Sequence, residues 1–268
     1  MSDFLQTMAS RSIERAAAAP ASFQSSDFDK PVVPLTFGDF DVIAEIKDKS
    51  PAAGDLTKGD NSRTWLAQCY ARGGAVAISV LTEPTRFAGD LDHLEEVVAA
   101  TPDTPIMRKD FLVEPVQVLE ARKAGASGVL LIVTMLSDDK LRGMLAGAWE
   151  HDLFVLLESF DEDDLKRTSM LLNNSADQDR ATRGQLLIGV NTRNLRTLEV
   201  DPDRLKKLAT ALPAARCVAE SGLSAPDDAA RVAGWGYQIA LVGTALMRSD
   251  DPAALVSAMR EAGAAMVS

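Results

Sequence analysis

The sequence has few of the residues that build metal centres and disulfide frameworks. Among its 268 residues only Cys69 and Cys217 are cysteines, and only His93 and His151 are histidines. Two cysteines so far apart give neither a disulfide framework nor a Cys-x-x-Cys metal site. Two histidines argue against a histidine-rich zinc site and against a histidine-dependent catalytic triad. We therefore expect a protein that holds no metal ion.

Long apolar runs are also missing. No segment approaches the ~20 uninterrupted apolar residues that a transmembrane helix needs. The first residues lack the basic start and the apolar block of a signal peptide. We therefore expect a cytoplasmic protein that does not associate with a membrane.

The chain is poor in positive charge. Its 28 Lys and Arg residues and 39 Asp and Glu residues give a formal net charge of −11 at pH 7. Nucleic-acid binding draws its affinity from the neutralisation of phosphates, so we expect no nucleic-acid partner. If the ligand is an anion, the positive groups that bind it must be gathered in one place.

What the sequence does have is an alternation of short apolar runs with longer helix-like stretches. Val, Ile and Leu dominate the runs, as buried parallel strands require, and the runs cover residues 42–47, 75–81, 105–110, 128–133, 153–158, 186–191, 216–221 and 238–243. Candidate helices between them, several starting with Ser or Asp and ending on Gly, include residues 62–74, 114–125, 137–152 and 224–236. Eight alternations predict an α/β fold, the (β/α)8 TIM barrel. The rival is a doubly wound open sheet, but the Gly-x-Gly-x-x-Gly turn expected after its first strand for dinucleotides is not there.

An extra N-terminal helix precedes the barrel. Residues Asp3 to Ala19 contain neither Gly nor Pro, and Pro20 ends the stretch. The apolar residues predicted to share one face of this helix are Leu5, Met8, Ile13 and Ala16. The predicted division is an N-terminal helical extension and connector over residues 1–40, followed by a single barrel domain over residues 41–268.

Polar residues interrupt the carboxyl ends of the apolar runs. Strand periodicity puts Glu45 and Lys47 on one face of the first run. The matching residues of four later runs are Lys109, Glu158, Asn191 and Glu220. If all of them point inward, they meet at the mouth where barrel enzymes do their chemistry. Any one could instead form an ordinary ion pair, such as Lys47 with Asp48 or Lys109 with Asp110. The whole set favours a functional site, because burying unpaired charge costs several kcal/mol.

Two glycine turns indicate where a phosphate would bind. The segment AESG places Gly222 after the seventh run, and VGTAL places Gly243 after the eighth. In barrels, the loops after strands 7 and 8 often bind phosphate through backbone N–H groups, and glycine lets the backbone approach a ligand closely. Two such turns in these two loops favour a phosphate site over simple chain reversal.

Several segments, taken in order, resemble the indole-3-glycerol-phosphate synthase family. They are IAEIKDKSP (43–51), ISVLTE (78–83), MRKDF (107–111), LLIV (130–133), GVNTRNLRTLEVD (189–201), VAESG (218–222) and LVGTALM (241–247). The resemblance covers about residues 40 to 250, and the leading helix also fits. The motifs RKDF, GVNTRNL and AESG are weak singly and highly specific together.

The resemblance implies an enzyme that closes the pyrrole ring of 1-(2-carboxyphenylamino)-1-deoxyribulose 5-phosphate and releases CO2 and water. It implies neither a metal nor an organic cofactor. The implied partners are this phosphorylated small molecule and, as a further expectation, other enzymes of tryptophan biosynthesis. The family's catalytic positions fall on Glu45, Lys47, Lys109, Glu158, Asn191 and Ser221. Its substrate-binding positions fall on Ser50, Phe87, Phe111, Leu130, Arg193, Leu195, Glu220, Gly222, Gly243 and Thr244, with Phe111, Leu130 and Leu195 forming an apolar wall around the anthranilate ring.

The chemistry of this reaction explains the residue types. Ring closure needs a proton donor at the ribulose carbonyl oxygen, and we assign Lys109, expecting neighbouring cations to lower its pKa. The iminium-like cation formed next needs an anion, for which Glu158 and Glu45 are both candidates. Dehydration needs an acid and a base, which we assign to Lys47 and Glu158. Lys47 and Arg193 are also candidates to neutralise the two anionic ends of the substrate.

The loops depart from the family pattern. Asp48 stands where a basic residue is common, and Ala52 and Asp90 stand where Ser is usual. Asp90 is expected to bring a carboxylate close to the mouth, and residues 173–184 form a polar insertion. These departures predict either weaker binding of phosphate or carboxylate, or a paralogue with a modified substrate.

Three alternatives stay open. A phosphoribosylanthranilate isomerase would use a Cys base and an Asp acid, whereas the first strand here offers Glu45 and Lys47. A Schiff-base aldolase would use a strand-end lysine as its nucleophile. A paralogous sugar-phosphate-binding barrel would keep the fold without catalysis.

Overall fold

The chain forms a closed parallel barrel. The described residues of the computed structural model are 3–20, 22–50, 54–56, 62–195 and 200–267, without the side chains of residues 3 and 50. Within these ranges eight parallel strands pair in chain order, and the first also pairs with the last. The strands are β1 (Asp41–Ile46), β2 (Ala77–Leu81), β3 (Ile106–Lys109), β4 (Gly128–Ile132), β5 (Phe154–Ser159), β6 (Leu186–Asn191), β7 (Arg216–Glu220) and β8 (Ile239–Val242). Each predicted run overlaps one of these strands, and the predicted barrel is confirmed.

Helices follow the strands and cover the outside of the barrel. They are α1 (Asp3–Ala17), α2 (Arg63–Arg72), α3 (Pro84–Phe87), α4 (Leu91–Ala100), α5 (Val116–Ala124), α6 (Asp138–Glu150), α7 (Glu162–Leu171), α8 (Ser175–Thr182), α9 (Arg204–Leu208), α10 (Pro226–Ala233), α11 (Thr244–Arg248) and α12 (Pro252–Ala264). Single 3-10 turns occur at Ser25–Phe28, Val133–Met135 and Ala209–Ala211, and a short hairpin joins Lys49–Ser50 to Gly54–Asp55. Across the ranges given above, no helix combines the length and the apolar character needed to cross a bilayer.

Strand register determines which side chains face the barrel interior. Leu81 pairs with Lys109, Glu158 with Gly189, and Asn191 with Glu220. Paired residues of neighbouring strands point to the same side of a sheet, and consecutive residues of one strand point to opposite sides. Arg108, next to Lys109, therefore points outward, where its Nη1 donates to the backbone oxygen of Gln117 in α5 at 2.9 Å. The polar residues at the strand ends are accordingly brought to the inner side.

The helix α1 packs on the barrel, with one correction to the predicted face. It ends at Ala17, two residues before the predicted end. Leu5 and Met8 are buried as predicted, whereas Ile13 is 48% exposed and Ser12 is fully buried. At about 100° per residue, Ser12 lies within about 40° of Met8 around the helix axis, and Ile13 lies about 140° away. The side-chain oxygen of Ser12 accepts a hydrogen bond from Gln117 Nε2 at 2.9 Å. The division at residue 40 stays a prediction, and β1 begins at Asp41.

Candidate active site

A cavity of about 1000 Å3 opens where the carboxyl ends of the strands meet. Each predicted site residue whose side chain is described lines this cavity. These residues are Glu45, Lys47, Phe87, Lys109, Phe111, Leu130, Glu158, Asn191, Arg193, Leu195, Glu220, Ser221, Gly222, Gly243 and Thr244. The side chain of Ser50 and residue Ala52 lie outside the described part of the chain.

A carboxylate between two lysines lies in the cavity wall. Glu45 Oε1 contacts Lys47 Nζ, and Glu45 Oε2 lies 3.3 Å from Lys109 Nζ. Burial alone would raise the pKa of Glu45, but the two ammonium groups outweigh it and lower that pKa to about 2. Glu45 is therefore ionised throughout the physiological pH range.

The alternative ion pairs, of Lys47 with Asp48 and of Lys109 with Asp110, are not formed. Asp48 pairs with Arg63 (Oδ2 to Nη1, 2.8 Å), and Asp110 pairs with Arg15 (Oδ1 to Nη2, 2.6 Å). Consecutive residues of an extended chain point in opposite directions. Lys47 and Lys109 are thereby left to meet Glu45 inside the barrel.

The pKa of Lys109 shifts in the direction opposite to the expectation. Burial favours the neutral amine, but attraction to Glu45, Glu158 and Glu220 outweighs burial and raises the pKa of Lys109. The expected lowering was wrong because carboxylates, and not cations, surround this ammonium group. Lys109 therefore carries a full positive charge before any substrate arrives.

Two buried carboxyl groups face each other beside Lys109. Burial raises the pKa of Glu158, against the opposing effects of Lys109 and of Asn191, whose Nδ2 donates to Glu158 Oε1 at 3.2 Å. Burial and the neighbouring Glu158 raise the pKa of Glu220 well above its ordinary value. No N–H or hydroxyl group among the described residues donates to either carboxyl oxygen of Glu220. Both carboxyl groups are therefore easier to protonate than an ordinary glutamate, and burial beside Glu158 makes Glu220 the more readily protonated of the two.

Two inward-facing positions must be glycine for these carboxylates to fit. A Cβ atom on Gly189 would lie 2.0 Å from Glu220 Oε1, and one on Gly243 would lie 2.3 Å from Glu45 Oε1. Both separations are far below van der Waals contact. The absence of a side chain at each position therefore makes room for a functional carboxylate.

Apolar side chains form the opposite wall. The rings of Phe87 and Phe111 lie 6.2 Å apart at an interplanar angle of 36°, and Phe4 of α1 packs edge-on against Phe111 at 5.8 Å. Leu130 is buried and Leu195 is half-buried beside them. This wall has the size and character to hold a flat aromatic ring.

The loops after β7 and β8 turn tightly at the cavity rim. Ser221 and Gly222 both have positive φ angles, 68° and 76°. This conformation is uncommon for a serine, and such backbone strain often occurs at functional sites. Gly243 and Thr244 begin α11 beside this turn, and all four residues line the cavity.

The sequence reasoning missed several cavity residues, among them Phe4, Arg86, Ser224 and Arg248. Arg86 directly precedes Phe87, so its position after the second strand could have identified it. Among described residues, neither Arg86 nor Arg193 has an ion-pair partner, and both guanidinium groups are available to an anion. Phe4 carried no signal because it lies outside the predicted helix face.

Among the described residues, neither Asp48, Asp90 nor the polar insertion lines the cavity. Asp90 is exposed and caps α4 by accepting a hydrogen bond from Asp92 N at 3.0 Å, and it is not a lining residue. The expected carboxylate at the mouth was therefore wrong, because Asp caps a helix as well as Ser does. The polar insertion forms α8 on the outside of the barrel, away from the lining residues. Both cysteines are buried and neither lines the cavity, which disfavours an isomerase with a cysteine base.

Comparisons with known proteins agree with this arrangement. The family model for indole-3-glycerol phosphate synthase matches residues 10–259. An indole-3-glycerol phosphate synthase of Nocardioides sp. is 47% identical over 219 residues, covering 81% of this chain and 79% of that protein. The enzyme of the same name from Mycobacterium leprae is 41% identical over 251 residues, covering 92% and 84%. The crystal structure of 3-hexulose-6-phosphate synthase from Salmonella typhimurium aligns with a TM-score of 0.61 at 14% identity, covering 84% of this chain and 99% of that chain, which supports the fold alone.

Proposed function

The chain belongs to the indole-3-glycerol phosphate synthase family, and we propose that its cavity carries out this family's reaction with the division of roles given below. The reaction is that of a carbon–carbon lyase of tryptophan biosynthesis acting on a phosphorylated small molecule. The observation that carries the proposal is the convergence of Lys47, Lys109, Glu158 and Glu220 on one cavity with an aromatic wall.

Lys109 is the proposed proton donor for ring closure. The aromatic carbon that bears the carboxylate attacks the ribulose carbonyl carbon, and negative charge develops on the carbonyl oxygen. The ammonium group of Lys109 is fully charged and can donate to that oxygen. Its raised pKa does not block the transfer, because an alkoxide is more basic than an amine. The same charge makes Lys109 a poor nucleophile, which disfavours a Schiff-base aldolase.

Glu158 is the proposed anion next to the cationic intermediate. Ring closure leaves positive charge on the anilino nitrogen and the ring, and loss of CO2 restores aromaticity. Glu45 pairs with two lysines and has a pKa of about 2, so it is a weak base, and its negative charge is already balanced by the ammonium groups. Burial raises the pKa of Glu158, so Glu158 is a stronger base than Glu45, while Lys109 and the Asn191 amide favour its ionised form. This contrast favours Glu158 over Glu45 both for the cation and for the later proton abstraction.

Lys47 and Glu158 are the proposed pair for dehydration. Lys47 gives a proton to the departing hydroxyl group, which leaves as water, and Glu158 removes a proton from the ring CH2 carbon. Two protons are then donated by the lysines and one is accepted by Glu158. The reaction therefore takes up one proton from solvent overall. This balances the negative charge of the substrate carboxylate, which leaves as neutral CO2.

The two anionic ends of the substrate are assigned to different groups in the cavity wall. We assign the phosphate to the turns at Ser221–Gly222 and Gly243–Thr244, where backbone N–H groups reach the rim. Arg193 is assigned to the anthranilate carboxylate, because its guanidinium group lines the same cavity and suits a carboxylate. Ser50 stays a predicted substrate contact.

Purified protein tests the proposal directly. Adding it to 1-(2-carboxyphenylamino)-1-deoxyribulose 5-phosphate in the presence of a chelator should produce indole fluorescence and one equivalent of CO2. Folded protein that binds the substrate and gives no indole would instead support a non-catalytic barrel. A cytoplasmic location and association with other enzymes of tryptophan biosynthesis belong to the same proposal and follow from the biosynthetic family alone.

A further inference from the structure

Arg204 reaches the end of β6 from outside the cavity. It is the first residue of α9, and its Nη1 donates to the backbone oxygens of Asn191 at 3.2 Å and of Thr192 at 2.9 Å. Arg204 is half-buried and does not line the cavity. One cation thus fixes two consecutive carbonyl groups at the point where β6 runs into the site.

One of those carbonyl groups belongs to Asn191, whose side chain orients Glu158. The side chain of Asn191 is held at both ends, since Nδ2 donates to Glu158 Oε1 at 3.2 Å and Oδ1 accepts from Arg193 N at 2.9 Å. Because the acceptor end is tied to the backbone of Arg193, the backbone over 191–193 determines where the amide group points. A shift of this backbone would move the donor away from Glu158.

The helix that carries Arg204, α9, is held in the core through its next residue, Leu205. Leu205 is buried, and its backbone oxygen accepts a hydrogen bond from the buried Tyr237 hydroxyl at 3.0 Å. On the strand side, Thr192 O also accepts from Asp201 N at 3.0 Å. Arg204 therefore connects the anchored start of α9 to the backbone oxygens of Asn191 and Thr192 at the end of β6.

We infer that Arg204 is a positioning residue for the reaction, which holds the end of β6 so that the Asn191 amide stays on Glu158. The inference rests on the proposed role of Glu158. It assigns to Arg204 no contact with the substrate, and it explains why a half-buried cation of α9 points to the strand end while Lys206 and Lys207 of the same helix point to solvent.

The charged groups around Glu158 fix the sign of the expected effect. Glu158 faces Lys109 of β3, Glu45 of β1 and Glu220 of β7, in addition to Asn191 of β6. The Asn191 amide donates to the ionised carboxylate and lowers the pKa of Glu158. Weakening that hydrogen bond should therefore raise the pKa of Glu158 and move the acidic limb of the kcat/KM profile to higher pH.

The test compares Arg204→Met with a matched control, Lys207→Met. Lys207 lies on the same helix and pairs with Asp201 (Nζ to Oδ2, 2.9 Å) without touching the β6 carbonyl groups. We expect Arg204→Met to lower kcat by about 10- to 100-fold, as small displacements of catalytic groups do, and to shift the acidic limb upward. Lys207→Met should leave both unchanged, and Arg204→Lys should recover part of the loss because lysine can still donate to one carbonyl group.

A titration without substrate separates this inference from the proposed function. Carboxyl carbon NMR of glutamate-labelled free protein, with the Glu158 signal assigned through Glu158→Gln, reads the pKa directly. An upward shift in Arg204→Met supports the positioning role even if turnover has another origin. The positioning role would be overturned if Arg204→Met lowered only the melting temperature. In that case the Glu158 pKa and the acidic limb of the profile would equal those of the unmodified protein. If the unmodified protein forms no indole but the pKa shift appears, the proposed function fails, while the orientation of the Asn191 amide by Arg204 is still supported.

Discussion

Arg15 of the N-terminal helix lies 2.6 Å from the buried carboxylate of Asp110, measured from Nη2 to Oδ1. Asp110 also accepts hydrogen bonds from Thr82 Oγ1 at 2.9 Å and from Phe111 N at 2.7 Å. Asp110 stands between Lys109 and Phe111 in the chain, so this ion pair connects α1 to the proposed proton donor and to the aromatic wall. The segment before the barrel is therefore part of the wall of the site, to which Phe4 also contributes.

Breaking this connection should affect both stability and substrate binding. We expect Arg15→Ala to lower the free energy of unfolding by about 1–3 kcal/mol, because a buried carboxylate loses one charged partner and keeps Arg108. The KM should rise because Phe111 is held less firmly. Denaturant unfolding and steady-state kinetics measure the two effects. Arg11→Ala removes a cation from the same helix and should change neither, and equal behaviour of the two variants would contradict the role of the ion pair.

The space above Gly189 is needed by Glu220. In Gly189→Ala the new Cβ would lie 2.0 Å from Glu220 Oε1 and 3.2 Å from Leu156 Cδ1, so the carboxyl group must leave its place beside Glu158. We expect a loss of about 1–3 kcal/mol in stability from overpacking, together with a clear fall in kcat. Gly143→Ala is the control, because a Cβ atom added to this glycine of α6 would meet no neighbouring atom within 4 Å. That variant should gain about 0.5–1 kcal/mol, and a full-activity Gly189→Ala enzyme would refute the requirement.

Stability should depend on pH through Glu220. Its pKa is raised in the folded protein, so above the ordinary glutamate value the folded state binds more protons than the unfolded state. The free energy of unfolding then falls as pH rises through that window. Glu220→Gln removes this contribution, and its melting temperature relative to the unmodified protein should be higher at about pH 8 than at about pH 5. A difference that is the same at both pH values would show that Glu220 is not protonated in the fold.

Removing the proposed proton donor should abolish indole formation. We expect Lys109→Ala to lose turnover while keeping most of its affinity for a product analogue, since the phosphate turns and the aromatic wall remain. Fluorescence assays and equilibrium binding measure the two quantities. Lys140→Ala, which removes an exposed lysine paired with Glu114, is the control. An unchanged turnover number in Lys109→Ala would exclude the acid role.

The two carboxylates near the lysines should differ in their effect on catalysis. We expect Glu158→Gln to reduce kcat by more than ~100-fold, as the loss of an acid–base group does, because an amide can neither accept the proton nor carry the negative charge. Steady-state assays over a range of pH measure this loss. A small effect would shift the role to Glu45.

The sequence predicts the barrel and the inner ring of polar residues because both depend on simple periodicities. Alternation along a strand places Glu45 and Lys47 on one side, and parallel strands bring Lys109, Glu158 and Asn191 to the same rim. The direction of the Lys109 pKa shift was not predictable in this way. It depends on which charges from three other strands surround the ammonium group, and these strands are far apart in the chain.

Loops and the added helix were harder to predict for a different reason. Asp90 caps a helix and Asp48 pairs with Arg63, so their charges are used locally, and no strand periodicity reports this. On α1 the buried face includes Ser12, a polar residue that a search for apolar side chains passes over. Arg86 was missed because its helix α3 is only four residues long, too short for a periodic pattern.

The pairing of β1 with β8 has a consequence for folding during translation. Ile43 lies opposite Leu241, and Gly243 covers the Glu45–Lys47 pair. A nascent chain leaves the ribosome from its N-terminus, so β1 has no partner at this edge until β8, about 200 residues later in the chain, has been translated. Until then β1 has an unsatisfied edge, which is a hazard for misassembly. Catalytic competence therefore requires that β8 has been translated and has closed the barrel.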